Sequence, residues 1–151
     1  MTPTEKQLVQ ASFEQVKSMS DVFASLFYSC LFDLDPGLEP LLIHDAQRQG
    51  RRLMHMIGLA VKRLDSLDQL IPRLQALGSR YAAYDLDEHD YMSIRRAWLW
   101  TLERCLLDAF TPEVKQAWTN VCELLTNTMK SQVSSVVIFP SSLSETHYLN
   151  A

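Results

Sequence analysis

The chain has 151 residues, enough for one domain that buries roughly two-thirds of its unfolded surface. The formal net charge is −4, and lysines and arginines are scattered among acids, so the sequence lacks the one-sided basic face of nucleic-acid-binding proteins. It has no apolar run long enough to cross a bilayer and no signal-peptide pattern at its N-terminus. These features predict a cytoplasmic protein with neither nucleic acid nor membrane as a partner.

The first third of the chain is predicted to form two helices, because glycines are few and sustained period-two alternation is absent. Thr4 and Gln7 resemble a capping box, which predicts a first helix over residues 4–17. A second helix is expected to start near Ser20 and to end at Asp35-Pro36-Gly37, since proline disfavours helical geometry in the preceding residue. The positions expected to face the core are Leu8, Ala11, Ser12, Val16, Phe23, Leu26, Phe27, Cys30, Leu31 and Leu34.

The remaining sequence predicts four further helical segments. A third helix is expected over residues 45–64, and Pro72 is suited to open the next one. A long helix is predicted to begin at Asp87 or Glu88 and to end near Ala109. Thr111-Pro112-Glu113 combines a cap, a first-turn proline and an acid, which predicts the start of the last helix. Its expected core positions are Val114, Ala117, Trp118, Val121, Leu124, Leu125 and Thr128.

The end of the chain is interpreted as an extension. Residues 1–133 are expected to form the domain, and residues 134–151 are predicted to be loosely held rather than helical. The apolar run Val136-Val137-Ile138-Phe139 could dock on a neighbour.

A helical stripe in the middle of the chain places a tyrosine hydroxyl toward the protein interior. Leu74, Leu77, Tyr81 and Tyr84 follow one another at intervals of three, four and three residues, which puts them on one helix face. The phenol of Tyr81 is therefore expected to point inward, where its hydroxyl needs a partner.

Several kinds of catalytic or metal site are disfavoured by residue spacing. Cys30, Cys105 and Cys122 are odd in number and lack a Cys-x-x-Cys pair, so we interpret them as small buried hydrophobic residues. A hydrolase nucleophile elbow and a His-Glu-x-x-His motif are both absent from the sequence. The acids from Asp85 to Asp90 lack the glycine and glutamate spacing of a calcium loop and are interpreted as a solvated connector and helix start.

The order of the predicted helices resembles the globin fold, an all-α architecture of about six to eight helices. Within that family the chain looks most like the bacterial single-domain globins and the globin domains of flavohaemoglobins. The matching segments are Leu26-Phe27-Tyr28, Asp35-Pro36, Pro40-Leu41-Leu42, Gln49-Gly50-Arg51-Arg52-Leu53-Met54, Leu59-Ala60-Val61, Leu77-Gly78, Tyr84, Glu88-His89, Leu99-Trp100-Thr101-Leu102-Glu103 and Ala109-Phe110-Thr111-Pro112-Glu113-Val114.

The resemblance implies a haem b site and assigns residues to it. Tyr28 and Gln49 match the distal residues that hydrogen-bond a haem-bound ligand, which would be a small diatomic molecule or anion. Leu53 matches the apolar residue that limits space above the iron. Leu42 stands where the family has a phenylalanine stacked on the haem edge, and Leu77 begins the motif on the proximal side.

The proximal motif departs from the family. The family pattern reads Leu-Gly-x-x-His-x-x-Tyr-Gly-Val, and this chain has Tyr81 at the histidine and Asp85 at the following glycine. One interpretation is that Tyr81 binds iron as phenolate, since tyrosine is a known axial ligand. An anionic oxygen ligand stabilises ferric iron, which favours sensing, peroxide or nitrogen-oxide chemistry over reversible oxygen transport.

Two other interpretations are compatible with the residues. The first is a haem-free globin fold that serves as a sensor or interaction module, although retaining both Tyr28 and Gln49 in a pocket argues for a polar occupant. The second is haem held by another ligand, but no histidine matches the proximal position (His44, His55, His89 and His147). The resemblance also leaves room for a homodimer through the last two long helices.

Overall fold

The computed structural model describes the backbone of residues 1–42, 46–66, 72 and 86–138, and the side chains of residues 1–40, 50–66, 72 and 86–127. Within these residues there is no β-strand, in agreement with the predicted all-α class. The helices are α1 (Pro3–Lys17), α2 (Ser20–Leu34), the single turn α3 (Glu39–Leu42), α4 (Ala46–Lys62), α5 (Glu88–Leu106) and α6 (Pro112–Ile138). Short 3-10 turns follow α2 at Pro36–Leu38 and α5 at Leu107–Ala109.

The helices pack around one core. Helix α2 packs against α5 and α4, and α1 packs against α6, α4 and α5. A chain of aromatic rings links α2, α5, α6 and α1. The Trp98 ring of α5 lies 4.8 Å from Phe23 of α2 and 5.8 Å from Trp118 of α6, and Trp118 in turn lies 6.3 Å from Phe13 of α1.

Helix α1 begins earlier than the sequence pattern predicts. Thr2, not Thr4, is the N-cap: its side chain accepts a hydrogen bond from Glu5 N, and the Glu5 side chain accepts one from Thr2 N. The prediction of a Thr4–Gln7 capping box was therefore wrong. Pro3 explains the shift, because a proline at the first helical position lacks only an N–H that would have no helical partner.

The buried face of α1 is also rotated from the predicted one. Its buried residues are Val9, Ser12, Phe13 and Val16, while Ala11 is exposed. Two other predicted core residues are more than a third exposed, Leu34 at 37% and Leu124 at 38%. A periodic pattern indicates which side of a helix is apolar, but neighbouring helices decide how much of that side they cover.

The two closing helices differ in length from the prediction. Helix α5 starts after Asp87 as predicted, but it ends at Leu106 rather than near Ala109 because Leu107 adopts a φ of 54°. Helix α6 starts at Pro112, and Thr111 Oγ1 caps it by accepting a hydrogen bond from Val114 N. It continues to Ile138, so the prediction that residues 134–138 are non-helical was wrong.

Candidate functional site

Tyr28 is buried on the face of α2 that packs against the core. It is 7% exposed, and its ring contacts two neighbours on the same helix, with centroids 5.1 Å from Phe27 and 5.8 Å from the stacked Phe32. Phe32 lies one turn after Tyr28, so their stacking follows directly from helical spacing. The structure therefore buries Tyr28, the residue that the family resemblance assigns to the distal side.

The crossing of α2 and α4 brings the Tyr28 ring next to the start of α4. Gly50 lies at the closest approach, where an added Cβ would be 2.9 Å from Ala24 Cβ and 3.9 Å from Tyr28 Cε2. A side chain at position 50 would therefore force the helices apart. Because Gln49 precedes Gly50 in α4, its backbone lies at the same crossing as Tyr28.

Leu53 lies one turn further along α4. It is partly buried and packs against the main hydrophobic core. The structure thus brings together the helix of Tyr28 and the helix that carries Gln49 and Leu53, as the sequence predicts. Beside the crossing lies a cavity of about 380 Å³, whose lining includes Tyr28, Phe32 and Gly50 together with the hydroxyl-bearing Ser25 and Ser29.

The other predicted site residues are only partly covered. Leu42 and Gln49 have helical backbones in α3 and α4, but their side chains lie outside the described residues. Leu77 and Tyr81 lie outside the described residues altogether, as do the histidines His44 and His147. The roles of these residues stay predictions.

Two of the four histidines, His55 and His89, are described. His55 is exposed on α4. The side chain of His89 is 69% exposed, and its Nδ1 lies 3.5 Å from Asp35 Oδ2.

His89 lies close to two carboxylates, those of Asp35 and Asp90. We call these three side chains the Asp35 cluster. The sequence pattern did not predict it. Asp35 follows the last residue of α2, and the other two lie in the first turn of α5. Burial raises the pKa of Asp90, and the neighbouring Asp35 carboxylate adds to the rise. No local pattern could reveal the cluster, because Asp35 is far from the other two residues in the chain.

None of the helices in the described part of the chain contains a segment long and apolar enough to span a bilayer.

Comparison with known proteins identifies the family. A family model described as Globin matches residues 44–129. This chain belongs to the globin family. Its all-α helices therefore form a globin fold, as the sequence resemblance implies.

The globin family contains relatives of this chain from distant organisms. A flavohemoprotein of Vibrio cholerae is 23% identical over 122 residues, which is 79% of this chain and 31% of that protein. A flavohemoprotein of Halalkalibacterium halodurans is 24% identical over 123 residues, 80% of this chain and 30% of that protein. Neuroglobin of Chaenocephalus aceratus is 24% identical over 143 residues, 85% of this chain and 90% of that protein. This globin therefore spans about a third of the flavohemoproteins and most of the neuroglobin.

Proposed function

We propose that this globin binds haem b, with Tyr81 as its proximal ligand and Tyr28 and Gln49 on the distal side. The observation that carries the proposal is the burial of Tyr28 at the α2–α4 crossing, with the partly buried Leu53 on the same α4. Membership of the globin family and similarity to flavohemoproteins support the cofactor.

The described residues at the α2–α4 crossing support the proposed pocket. Tyr28 offers a hydroxyl that can donate a hydrogen bond to a small ligand, and its ring is held by Phe27 and Phe32. Gly50 lets α2 and α4 approach closely enough for residues of both helices to border one pocket. Leu53 is the apolar residue that would restrict the space for a ligand, and Leu42 and Leu77 complete the proposed apolar contacts.

When bound, haem supplies an iron that takes up diatomic or anionic ligands and changes its oxidation state. Tyr81 would hold it through a phenolate oxygen, an anionic donor that favours ferric over ferrous iron. Tyr28 and Gln49 would orient the ligand through hydrogen bonds. Together these residues favour sensing, peroxide or nitrogen-oxide chemistry over reversible oxygen transport.

The proposal predicts that replacing the Tyr81 hydroxyl changes the haem spectrum. The purified protein, titrated with hemin, is expected to take up one equivalent and to show a ferric spectrum with a tyrosinate-to-iron charge-transfer band. Tyr81→Phe removes the oxygen donor, so we expect loss of that band and at least about a tenfold weaker uptake of hemin, measured by absorption. Tyr84→Phe is the matched control, because it removes a hydroxyl three residues further along the same motif.

Two results separate the alternatives. A protein that takes up no hemin would overturn the proposal and support a haem-free globin that acts as a sensor or interaction module. A band that survives in Tyr81→Phe would mean that haem is bound through another residue. Tyr81→His is expected to convert the protein to one that forms a ferrous oxygen complex, since imidazole is the usual globin ligand.

Other features stay predictions. These are a bacterial origin, a cytoplasmic location, a homodimer formed through α5 and α6, and a boundary between the domain and its extension near residue 133. Size-exclusion chromatography with light scattering tests the homodimer.

A further inference from the structure

The Asp35 cluster joins two helices through three potential metal ligands. One ligand atom from each of Asp35, His89 and Asp90 can be chosen so that all three lie within 4.8 Å of one another. The closest measured pair is His89 Nδ1 and Asp35 Oδ2, at 3.5 Å. Two ligands of a tetrahedral zinc ion are roughly 3.4 Å apart when each bond is about 2.1 Å long. The geometry of this pair therefore already matches that of two ligands on one ion.

A second observation concerns the burial of Asp35. The residue is 8% exposed, and among the described residues its Oδ2 atom is fully buried without a hydrogen-bond partner. Leaving a buried polar group unpaired is destabilising, and more so when the group is charged. The unpaired oxygen is the one that lies nearest to His89. His89 Nδ1 approaches this oxygen to 3.5 Å without forming a hydrogen bond, and a cation between the two side chains would coordinate both.

The backbone around both ends of the cluster is fixed without an ion. Asp35 N donates to Leu31 O at 2.8 Å, and Leu38 N donates to Asp35 O at 3.0 Å, so Asp35 is held between α2 and the following turn. On α5, Asp90 Oδ2 accepts a hydrogen bond from Asp87 N at 2.9 Å. This bond orients the Asp90 carboxylate. Ligands that are held in place by such hydrogen bonds are typical of metal sites.

The types of donor select the metal. One imidazole nitrogen and two carboxylate oxygens suit zinc and neighbouring divalent transition metals, whereas calcium and magnesium prefer oxygen ligands alone. We propose that Asp35, His89 and Asp90 bind a divalent transition-metal ion of the zinc class, which links the end of α2 to the start of α5. Three protein ligands leave one position of a tetrahedral ion for water. The site uses none of the residues proposed to hold haem, so it stands or falls independently of them.

Metal titration of the protein, freed of metal by a chelator, tests the site. With Zn²⁺ as the probe in isothermal titration calorimetry, we expect one saturable equivalent. The dissociation constant should rise at least about tenfold in Asp35→Asn and in His89→Gln. Asp33→Asn and His55→Gln are matched controls that remove an exposed acid of α2 and an exposed histidine of α4. Both should bind Zn²⁺ like the unmodified protein.

Two further measurements keep the outcome decisive. Because the His89 side chain is 69% exposed, His89→Gln should fold normally even if Asp35→Asn does not, and circular dichroism checks this. Co²⁺ bound by the Asp35 cluster should lack a thiolate-to-metal charge-transfer band, which separates it from binding at the cysteines. Absence of saturable Zn²⁺ binding, unchanged affinity in His89→Gln, or a thiolate band would each overturn the proposal.

Discussion

Ser12 and Trp118 form a buried polar pair at the centre of the protein. Trp118 Nε1 donates a hydrogen bond to Ser12 Oγ at 2.8 Å, and Ser12 Oγ donates to Leu8 O at 2.6 Å. Ser12 is 4% exposed and Trp118 is 1% exposed, so neither group can turn to water instead. One serine hydroxyl thus satisfies the indole N–H of α6 while it pairs with the backbone of α1.

Replacing Ser12 by alanine should leave the indole N–H unpaired. We expect Ser12→Ala to lower the free energy of unfolding by about 1–3 kcal/mol, the cost of a buried donor without an acceptor. Urea unfolding followed by tryptophan fluorescence and circular dichroism measures the change. Ser18→Ala is the control, because Ser18 Oγ bonds only an exposed carbonyl, that of Gln15, and its loss should change stability by less than about 0.5 kcal/mol. If both substitutions lowered the free energy of unfolding equally, the buried Ser12–Trp118 bond would not contribute more than an exposed one.

At the scale of the elements, the α2–α4 crossing depends on a residue without a side chain. Gly50 faces Ala24 of α2 so closely that a methyl group on it would overlap the alanine methyl. The same contact lies beside Tyr28 and the proposed haem pocket. Spacing between the two helices therefore affects both stability and the site.

Adding a methyl group at this crossing should destabilise the protein. We expect overpacking in Gly50→Ala to cost about 1–3 kcal/mol. Alanine gains roughly 1 kcal/mol over glycine within a helix, so the net loss of stability should be up to about 2 kcal/mol. Gly58→Ala is the matched control on the same helix, since its Cβ would meet the edge of the Phe13 ring at 3.3 Å and a small shift could relieve the contact. Chemical denaturation of both variants measures the difference.

The double variant Ala24→Gly/Gly50→Ala tests the mechanism of this effect. It moves the methyl group from one helix to the other and should recover part of the stability lost in Gly50→Ala. No recovery would mean that the loss comes from somewhere other than the Ala24 contact.

For the whole molecule, three partly buried cysteines and the buried Tyr91, whose pKa values are raised, shape the response to alkaline pH. Burial raises the pKa of Cys30 on α2, of Tyr91 and Cys105 on α5, and of Cys122 on α6. For Cys122 the rise is to about 12. All four groups hold their protons more tightly in the folded chain than in the unfolded one, so they favour the folded state only while they stay protonated.

The sign of this effect gives a testable pH dependence. Above the unfolded thiol pKa, near 8.5, the unfolded chain loses protons that the folded chain keeps, so stability falls as pH rises towards 12. We expect the free energy of unfolding to decrease between pH 8 and pH 10 (measured by urea denaturation), with Cys122 responsible for about 1–2 kcal/mol of that decrease. Cys122→Ala should flatten the profile by this amount, and Cys30→Ala should flatten it less. Parallel profiles for the unmodified protein and Cys122→Ala would contradict the assignment.

The sequence alone determined the features that depend on residues close together in the chain. Asp87 caps α5, Thr111 caps α6 and the Asp35-Pro36 pair ends α2, as predicted, because each signal acts through hydrogen bonds or sterics within one turn. The all-α class followed in the same way from helical spacing and the absence of period-two alternation.

Only the tertiary structure decided which of these local features meet. The closeness of Gly50 to Ala24, the bond between Ser12 and Trp118, and the Asp35 cluster all join residues on different helices. It also left Leu34 and Leu124 partly exposed although their helical positions are apolar. Periodicity specifies the direction of a side chain from its own helix axis, whereas burial and contact depend on how neighbouring helices pack against that face.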